Sequence, residues 1–165
     1  MNVIWIVADT FRQDHLGAYG KAPVMTPSLD ALAAKSTRFN RHYAAGFPTM
    51  PTRADHATGR WTMSYMGWEP LPVDSITLAE TLAADGVHTA AMVDTPFYLR
   101  GGMNYDQGFQ TFSMHSGQEG SVTRLIETHH HESRDIKAAW RYEGDRNVAQ
   151  TVTGAMQWLQ GHHKE

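Results

Sequence analysis

The chain contains no cysteine. Disulfides and thiolate metal sites are therefore excluded, while the absence is neutral about compartment. Long apolar runs are lacking too. None approaches the ~20 residues that a membrane-spanning helix needs, so no membrane partner is expected. Neither sign of charge is in strong excess: Lys and Arg number 14 against 17 Asp and Glu, giving a net charge of −3 and a pI near 6.3. No basic field is available to hold nucleic acid or an anionic lipid surface. The apolar opening at residues 3–8 is too short for a secretory leader and runs straight into Asp9. No leader and a cytoplasmic location are the expectation. Internal repeats and linker-like tracts are also missing, so a single domain is the simplest organisation. With 165 residues, 41% of them apolar and 19% charged, there is enough chain for a sizeable core.

What is present reads as an α/β pattern. Residues 3–8 form a continuous β-branched apolar run, suited to a strand buried on both faces of a parallel sheet. Thr26-Pro27 opens a helix, with Thr as N-cap and Pro at the first position, and Leu29, Leu32 and Ala33 as its buried stripe. Residues 38–43 alternate like a short strand. Residues 51–58 read as a helix stopped by Gly59. Residues 60–74 read as an ordered surface loop, with Trp61 and Trp68 most simply packing it and lining a substrate entrance as the alternative. Residues 77–85 form a helix with Leu78 and Leu82 inward and Gly86 as its stop. The strand at 87–93 follows, and a short strand is expected at 109–112. Strand and helix alternating in this order imply a parallel sheet. The polar stretch 113–135 reads as loop or lid. A last helix at 146–160, capped by Asp145, has Val148, Val152, Ala155, Met156 and Leu159 on its apolar face.

In a parallel sheet, ligands sit beyond the carboxyl ends of the strands. Asp9 and Asp94 both follow strands there, and a carboxylate at that rim is a hard ligand for a divalent cation. Taken alone, Asp9 reads first as a turn cap or as a partner for Arg12. Thr49 stands just ahead of a helix beginning at Pro51 and Thr52. The free N–H groups and positive dipole end of that helix favour an anion, and Arg53 adds a forked donor suited to phosphate or sulfate. A hydroxyl there attacks phosphorus or sulfur when a metal lowers its pKa. Taken alone, Thr49 reads first as a capping threonine. His129-His130-His131 and His162-His163 read as solvated surface, and His56 as helix packing or surface.

Four segments, in order, change that balance. Asp9-Thr10-Phe11-Arg12-Gln13-Asp14-His15-Leu16-Gly17-Ala18-Tyr19-Gly20 resembles the opening motif of the sulfatase family, within the alkaline phosphatase superfamily. Thr26-Pro27-Ser28-Leu29-Asp30-Ala31-Leu32-Ala33 resembles the family's next stretch. Thr49-Met50-Pro51-Thr52-Arg53 with Thr58-Gly59-Arg60 resembles its nucleophile signature. Asn104-Tyr105-Asp106-Gln107-Gly108-Phe109 resembles its later Gly-Phe segment. The resemblance implies an alkaline phosphatase-like α/β fold: a three-layer αβα sandwich with a mainly parallel sheet, of which residues 1–165 are the N-terminal portion. It also implies a divalent cation (Ca, Mn, Mg or Zn) held by Asp9, Thr10 and Thr49. Thr49 then takes the nucleophile position and Arg53 that of the anion-holding arginine. Arg60 is structural, and Asp14 braces the first loop by local pairing. Thr95 and Tyr98 contact substrate. The implied partner is a small sulfate or phosphate ester.

Two departures from the family pattern stand out. Sulfatases carry Cys or Ser at the nucleophile position and oxidise it to formylglycine. Threonine cannot yield that aldehyde, so no formylglycine is expected at Thr49, and the reading tilts toward phosphodiester or phosphonate esters. The segment Asp94-Thr95-Pro96-Phe97-Tyr98 also lacks the lysine and histidine that sulfatases carry nearby. The remaining metal ligands of the family lie beyond this length of chain. A truncated or non-catalytic sulfatase-like module is the alternative. Its uncovered strand edges invite association, with a second copy or with a missing C-terminal half.

Overall fold

In a computed structural model, residues 2–95, 99, 101–115, 142 and 146–162 are described. The chain divides into two compact units, Met1–Tyr43 and Ala44–Glu165.

The first unit is built around one helix, α1 (Pro27–Ala33), and two short 3-10 turns, Gln13–His15 and Gly17–Tyr19. Proline opens α1 as expected, but Thr26 does not cap it through its side chain. Its hydroxyl accepts instead from Gly17 N at 2.9 Å and donates to Asp30 Oδ1 at 3.1 Å. Asp30 Oδ1 also accepts from Ala18 N at 2.7 Å. Thr26 and Asp30 thus tie α1 to the turn ahead of it, and a Cβ at Gly17 would run into the Asp30 carboxylate. Tyr19 donates to Phe39 O at 3.0 Å, and the Arg38 guanidinium lies 5.1 Å from the Tyr19 ring centroid.

Three expectations fail in this unit. Residues 3–8 and 38–43 are not strands, and the stripe on α1 is not buried. Ile6 is 81% exposed and Leu32 60% exposed. The physical reason is the same each time. Apolar periodicity marks what requires cover, and a parallel strand needs ladder partners and helices on both faces. No partner strand for these segments exists among the described residues.

The second unit holds the core. Helix α2 (Thr49–Thr58) ends at Gly59, whose φ of 67° supplies the left-handed cap that glycine adopts without strain. Met50, Ala54, Met66, Leu71, Leu99 and Tyr105 pack together as the buried cluster, with Val93 and Phe112 against it. Helix α3 (Leu78–Ala84) carries a complete capping box. Thr77 Oγ1 accepts from Glu80 N at 3.1 Å, and Glu80 Oε2 accepts from Thr77 N at 2.8 Å. Leu78 and Leu82 do not face inward, being 44% and 37% exposed, and Ala79 is buried instead. The loop at Gly108 presses so closely on Ala79 and Glu80 that it admits no Cβ, which sets the buried face of α3.

Strands β1 (Ala90–Val93) and β2 (Thr111–Met114) pair in parallel, with Ala90 opposite Thr111 and Val93 opposite Met114. This two-stranded parallel sheet with its helices is the α/β pattern read from the sequence. Helix α4 (Asn147–His162) packs on β1. Its expected apolar face is only partly covered: Ala155 and Leu159 are half-buried, while Val148, Val152 and Met156 are all more than half exposed. Gly154 faces the fold instead, with the His115 ring 2.9 Å from where a Cβ would stand. Most of the 113–135 stretch, with its histidine triplet, and Asp145 lie outside the described residues. No helix among the described residues is long and apolar enough to cross a membrane.

Candidate functional site

The candidate nucleophile sits on the best-supported helix of the chain. Thr49 is the first residue of α2 rather than a residue ahead of it, with Pro48 in the capping position. Arg53 is four residues on, so the two side chains lie one above the other on one face, both half-buried. Several contacts fix this first turn. Thr52 Oγ1 donates to Gly46 O at 2.6 Å, and Thr52 N donates to Pro48 O at 3.2 Å. Asp55 Oδ1 accepts from Thr62 N and lies 2.7 Å from the Thr62 hydroxyl. That hydroxyl is 3.0 Å from Pro51 O. A Cβ on Gly46 would fall 2.8 Å from the Pro51 carbonyl carbon, so glycine is required for this close approach.

Tyr105 was not singled out by the sequence reading as a site residue. It is 7% exposed, and its hydroxyl donates to Met50 O, the carbonyl directly after Thr49, at 3.3 Å. Burial pushes its pKa up to about 12, against the opposing charge of Arg53 and with a smaller push from Glu69. Its signal was the Asn104-Tyr105-Asp106 segment, which gave a position but no role. The loop around it is held by Asn104 Nδ2 donating to Leu71 O at 2.8 Å and by Leu71 N donating to Met103 O at 3.0 Å.

Thr95 lies one residue past Asp94, at the carboxyl end of β1. Leu99 N donates to Thr95 O at 3.2 Å, and Leu99 is buried beside Met50 and Ala54. The post-β1 segment and α2 therefore share one core. Asp94 Oδ2 accepts from Asn147 Nδ2, at the start of α4, at 3.3 Å. Tyr98 lies outside the described residues.

Asp9 and Thr10 belong to the first unit. Thr10 Oγ1 donates to Asp9 Oδ1 at 3.0 Å. Thr10 has φ 59°, a left-handed conformation that is an outlier for a β-branched residue. Such strain costs on the order of 1–3 kcal/mol and clusters at sites where function demands it. Nothing in the sequence flagged it. Arg12 does not pair with Asp9. Its Nε and Nη2 donate to Asp14 at 2.9 and 2.6 Å. His15 Nδ1 lies 2.9 Å from the same carboxylate. The hydrogen bonds from Arg12 and then His15 hold Asp14 well below the usual carboxylate range. Local bracing by Asp14 is as expected. Trp61, Trp68, His56 and Arg60 are exposed.

A sulfatase family model matches residues 1–164. Over 98 residues the chain is 40% identical to arylsulfatase A of Bos taurus, covering 53% of this chain and 19% of that protein. It is 38% identical to arylsulfatase A of Homo sapiens over the same length and shares. Against steryl-sulfatase of Homo sapiens it is 31% identical over 103 residues, or 54% of this chain and 18% of that one. The matched part thus spans about a fifth of the length of these relatives. No solved structure matches the chain.

Proposed function

The chain belongs to the sulfatase family, and we propose that it supplies the nucleophile and first metal ligands of a divalent-metal-dependent ester hydrolase. The observation that carries this reading is the placing of Thr49 and Arg53 on one face of the first turn of a buried, buttressed helix. The N-terminal peptide groups of that helix favour an anionic ester, and the Arg53 fork adds charge complementarity. Thr49 Oγ1 attacks the sulfur or phosphorus centre and the ester oxygen leaves. Arg53 stabilises the charge that develops on the nonbridging oxygens. Thr95, just past the carboxyl end of β1, and Tyr98 contact the substrate.

Asp9 and Thr10 offer a carboxylate and a hydroxyl joined by a 3.0 Å hydrogen bond. This is a hard-oxygen pair that suits Ca, Mn, Mg or Zn in kind. A cation wanting about six oxygens would need ligands beyond this pair. Such an ion, when bound, lowers the pKa of the attacking hydroxyl and neutralises ester charge. A threonine nucleophile cannot become formylglycine, which favours phosphodiester or phosphonate esters beside the sulfate esters of the family. In this reading residues 1–165 are the N-terminal portion of a three-layer αβα catalytic domain. Its completed, mainly parallel sheet covers residues 3–8 and the outer face of α4.

A second reading, a truncated or non-catalytic sulfatase-like module lacking a complete metal site, fits one observation: the matched part spans about a fifth of the length of the relatives. One assay separates the two. The purified chain is offered nitrophenyl sulfate, a phosphodiester and a phosphonate ester with Mn²⁺ or Ca²⁺, beside Thr49→Ala. Turnover that falls by ~1,000-fold or more in the variant supports catalysis and names the ester class. A folded chain that turns over none of the three supports the module.

A further inference from the structure

The amino end of β1 carries a cluster that the proposed chemistry does not use. His88 lies two residues ahead of β1, while Trp158 and His162 lie in the last turns of α4. The His162 and Trp158 rings stack with centroids 4.5 Å apart and an interplanar angle of 8°. The His88 ring stands edge-on to both, at 5.4 Å from Trp158 and 5.3 Å from His162. His162 Nδ1 lies 2.8 Å from Trp158 O. A carbonyl only accepts, so Nδ1 carries the proton and Nε2 of the neutral ring presents its lone pair. A backbone carbonyl that fixes the tautomer and orientation of an imidazole is what metal-ligating histidines use.

The spacing fits a shared ion. With Zn–N bonds of about 2.0–2.1 Å and tetrahedral geometry, two imidazoles on one cation have their centroids roughly 5 Å apart. The observed centroid separation of 5.3 Å matches that arrangement. We propose that His88 and His162 form a two-imidazole site for a first-row divalent cation such as Zn²⁺ or Cu²⁺. Water completes the coordination, and the stacked indole holds His162 in place. The ion clips the last turn of α4 to the segment entering β1. From His88 to Thr95 the chain runs about 20 Å along the strand, so this site is separate from the ester chemistry. It is also chemically distinct, with imidazole donors in place of the hard oxygens at Asp9 and Thr10.

The test is a ZnCl₂ titration of the full chain, followed by the ring C–H resonances of the histidines. The expected result is that the His88 and His162 signals move together and saturate at one equivalent with one midpoint. His88→Ala and His162→Ala, each with unchanged circular dichroism, then lose at least tenfold in Zn²⁺ affinity. The proposal is overturned if the two rings respond at different midpoints. It is equally overturned if either variant binds Zn²⁺ as tightly as the parent, the His129-His130-His131 run then being the ligand. Should a variant fail to fold, the joint or separate response of the two rings in the unaltered chain still decides.

Discussion

Thr49 and Asp9 stand in surroundings of opposite character. The helix that starts at Thr49 sets Met50 and Ala54 at 0% exposure into the main apolar cluster, and its first turn is tied by Gly46, Thr62 and Tyr105. The segment that leads to Asp9 leaves Ile6 81% exposed and forms no strand. Residues 3–8 are apolar throughout and α2 is mostly polar, so hydrophobicity alone would favour burial of the wrong segment. The difference is closure. Helix α2 finds its cover among residues near it in the chain and in the loops and strands that follow, Met66, Leu71, Leu99 and Tyr105 among them. A parallel strand is buried only when a neighbour pairs on each edge and helices lie on both faces. Local signals thus suffice for the surroundings of Thr49 and cannot suffice for those of Asp9.

Deleting an apolar side chain on each side gives the largest expected contrast. Met50→Ala empties a fully buried position and is expected to lower stability by about 2–5 kcal/mol, as large-to-small core changes do. Ile6→Ala trims an exposed side chain and is expected to change it by less than about 0.5 kcal/mol. Urea unfolding of both variants measures the pair. Equal effects would mean that residues 3–8 are covered in solution, and the contrast drawn above would collapse.

A finer probe is the Tyr105 hydroxyl, which props the carbonyl next to Thr49. Tyr105→Phe removes one donor from a buried carbonyl and is expected to cost roughly 1 kcal/mol. It carries a pH signature as well. The folded-state pKa is raised from about 10 to about 12, so between those values the folded chain keeps a proton that the unfolded chain releases. The contribution is therefore full below pH ~10 and is lost as pH rises toward 12. Unfolding midpoints measured from pH 9 to 12 are expected to fall more steeply for the parent than for Tyr105→Phe. Parallel curves would show that Tyr105 is not held neutral by burial.

How far the sequence could be read follows the same line of closure. Gly59 as the stop of α2, Pro27 at the start of α1 and the parallel strands after α3 were legible, because each rests on neighbours in sequence or on short-range alternation. The stripes on α1 and α4 were legible as apolar but not as exposed, since their cover is not among the described residues. Thr26 looked like a cap, and only the fold shows its hydroxyl drawn away by Gly17 and Asp30. Thr49 and Arg53 were brought together by the signature they resemble, with Thr49 expected ahead of the helix rather than as its first residue. Tyr105, more than fifty positions away in the chain, became a support for that pair only through the tertiary contact with Met50. The left-handed backbone at Thr10 had no sequence sign at all.

The smallest effect belongs to the loop after Asp9, where Asp14 accepts from Arg12 and sits beside His15. Its pKa is lowered on folding, so its stabilising contribution is present above the unfolded value near 3.9 and is lost as pH falls through the folded value. The group is fully exposed, so salt screens the pair over roughly 10 Å at 0.1 M and less at higher strength. Asp14→Asn is thus expected to alter acid unfolding slightly at low ionic strength and not at all in 1 M salt. Its effect near neutral pH should stay below that of either change at α2. An Asp14→Asn effect that matched Met50→Ala and persisted in salt would place a buried charge network in the first unit. The two halves of the site would then differ in kind of support, charge against apolar packing, rather than in amount.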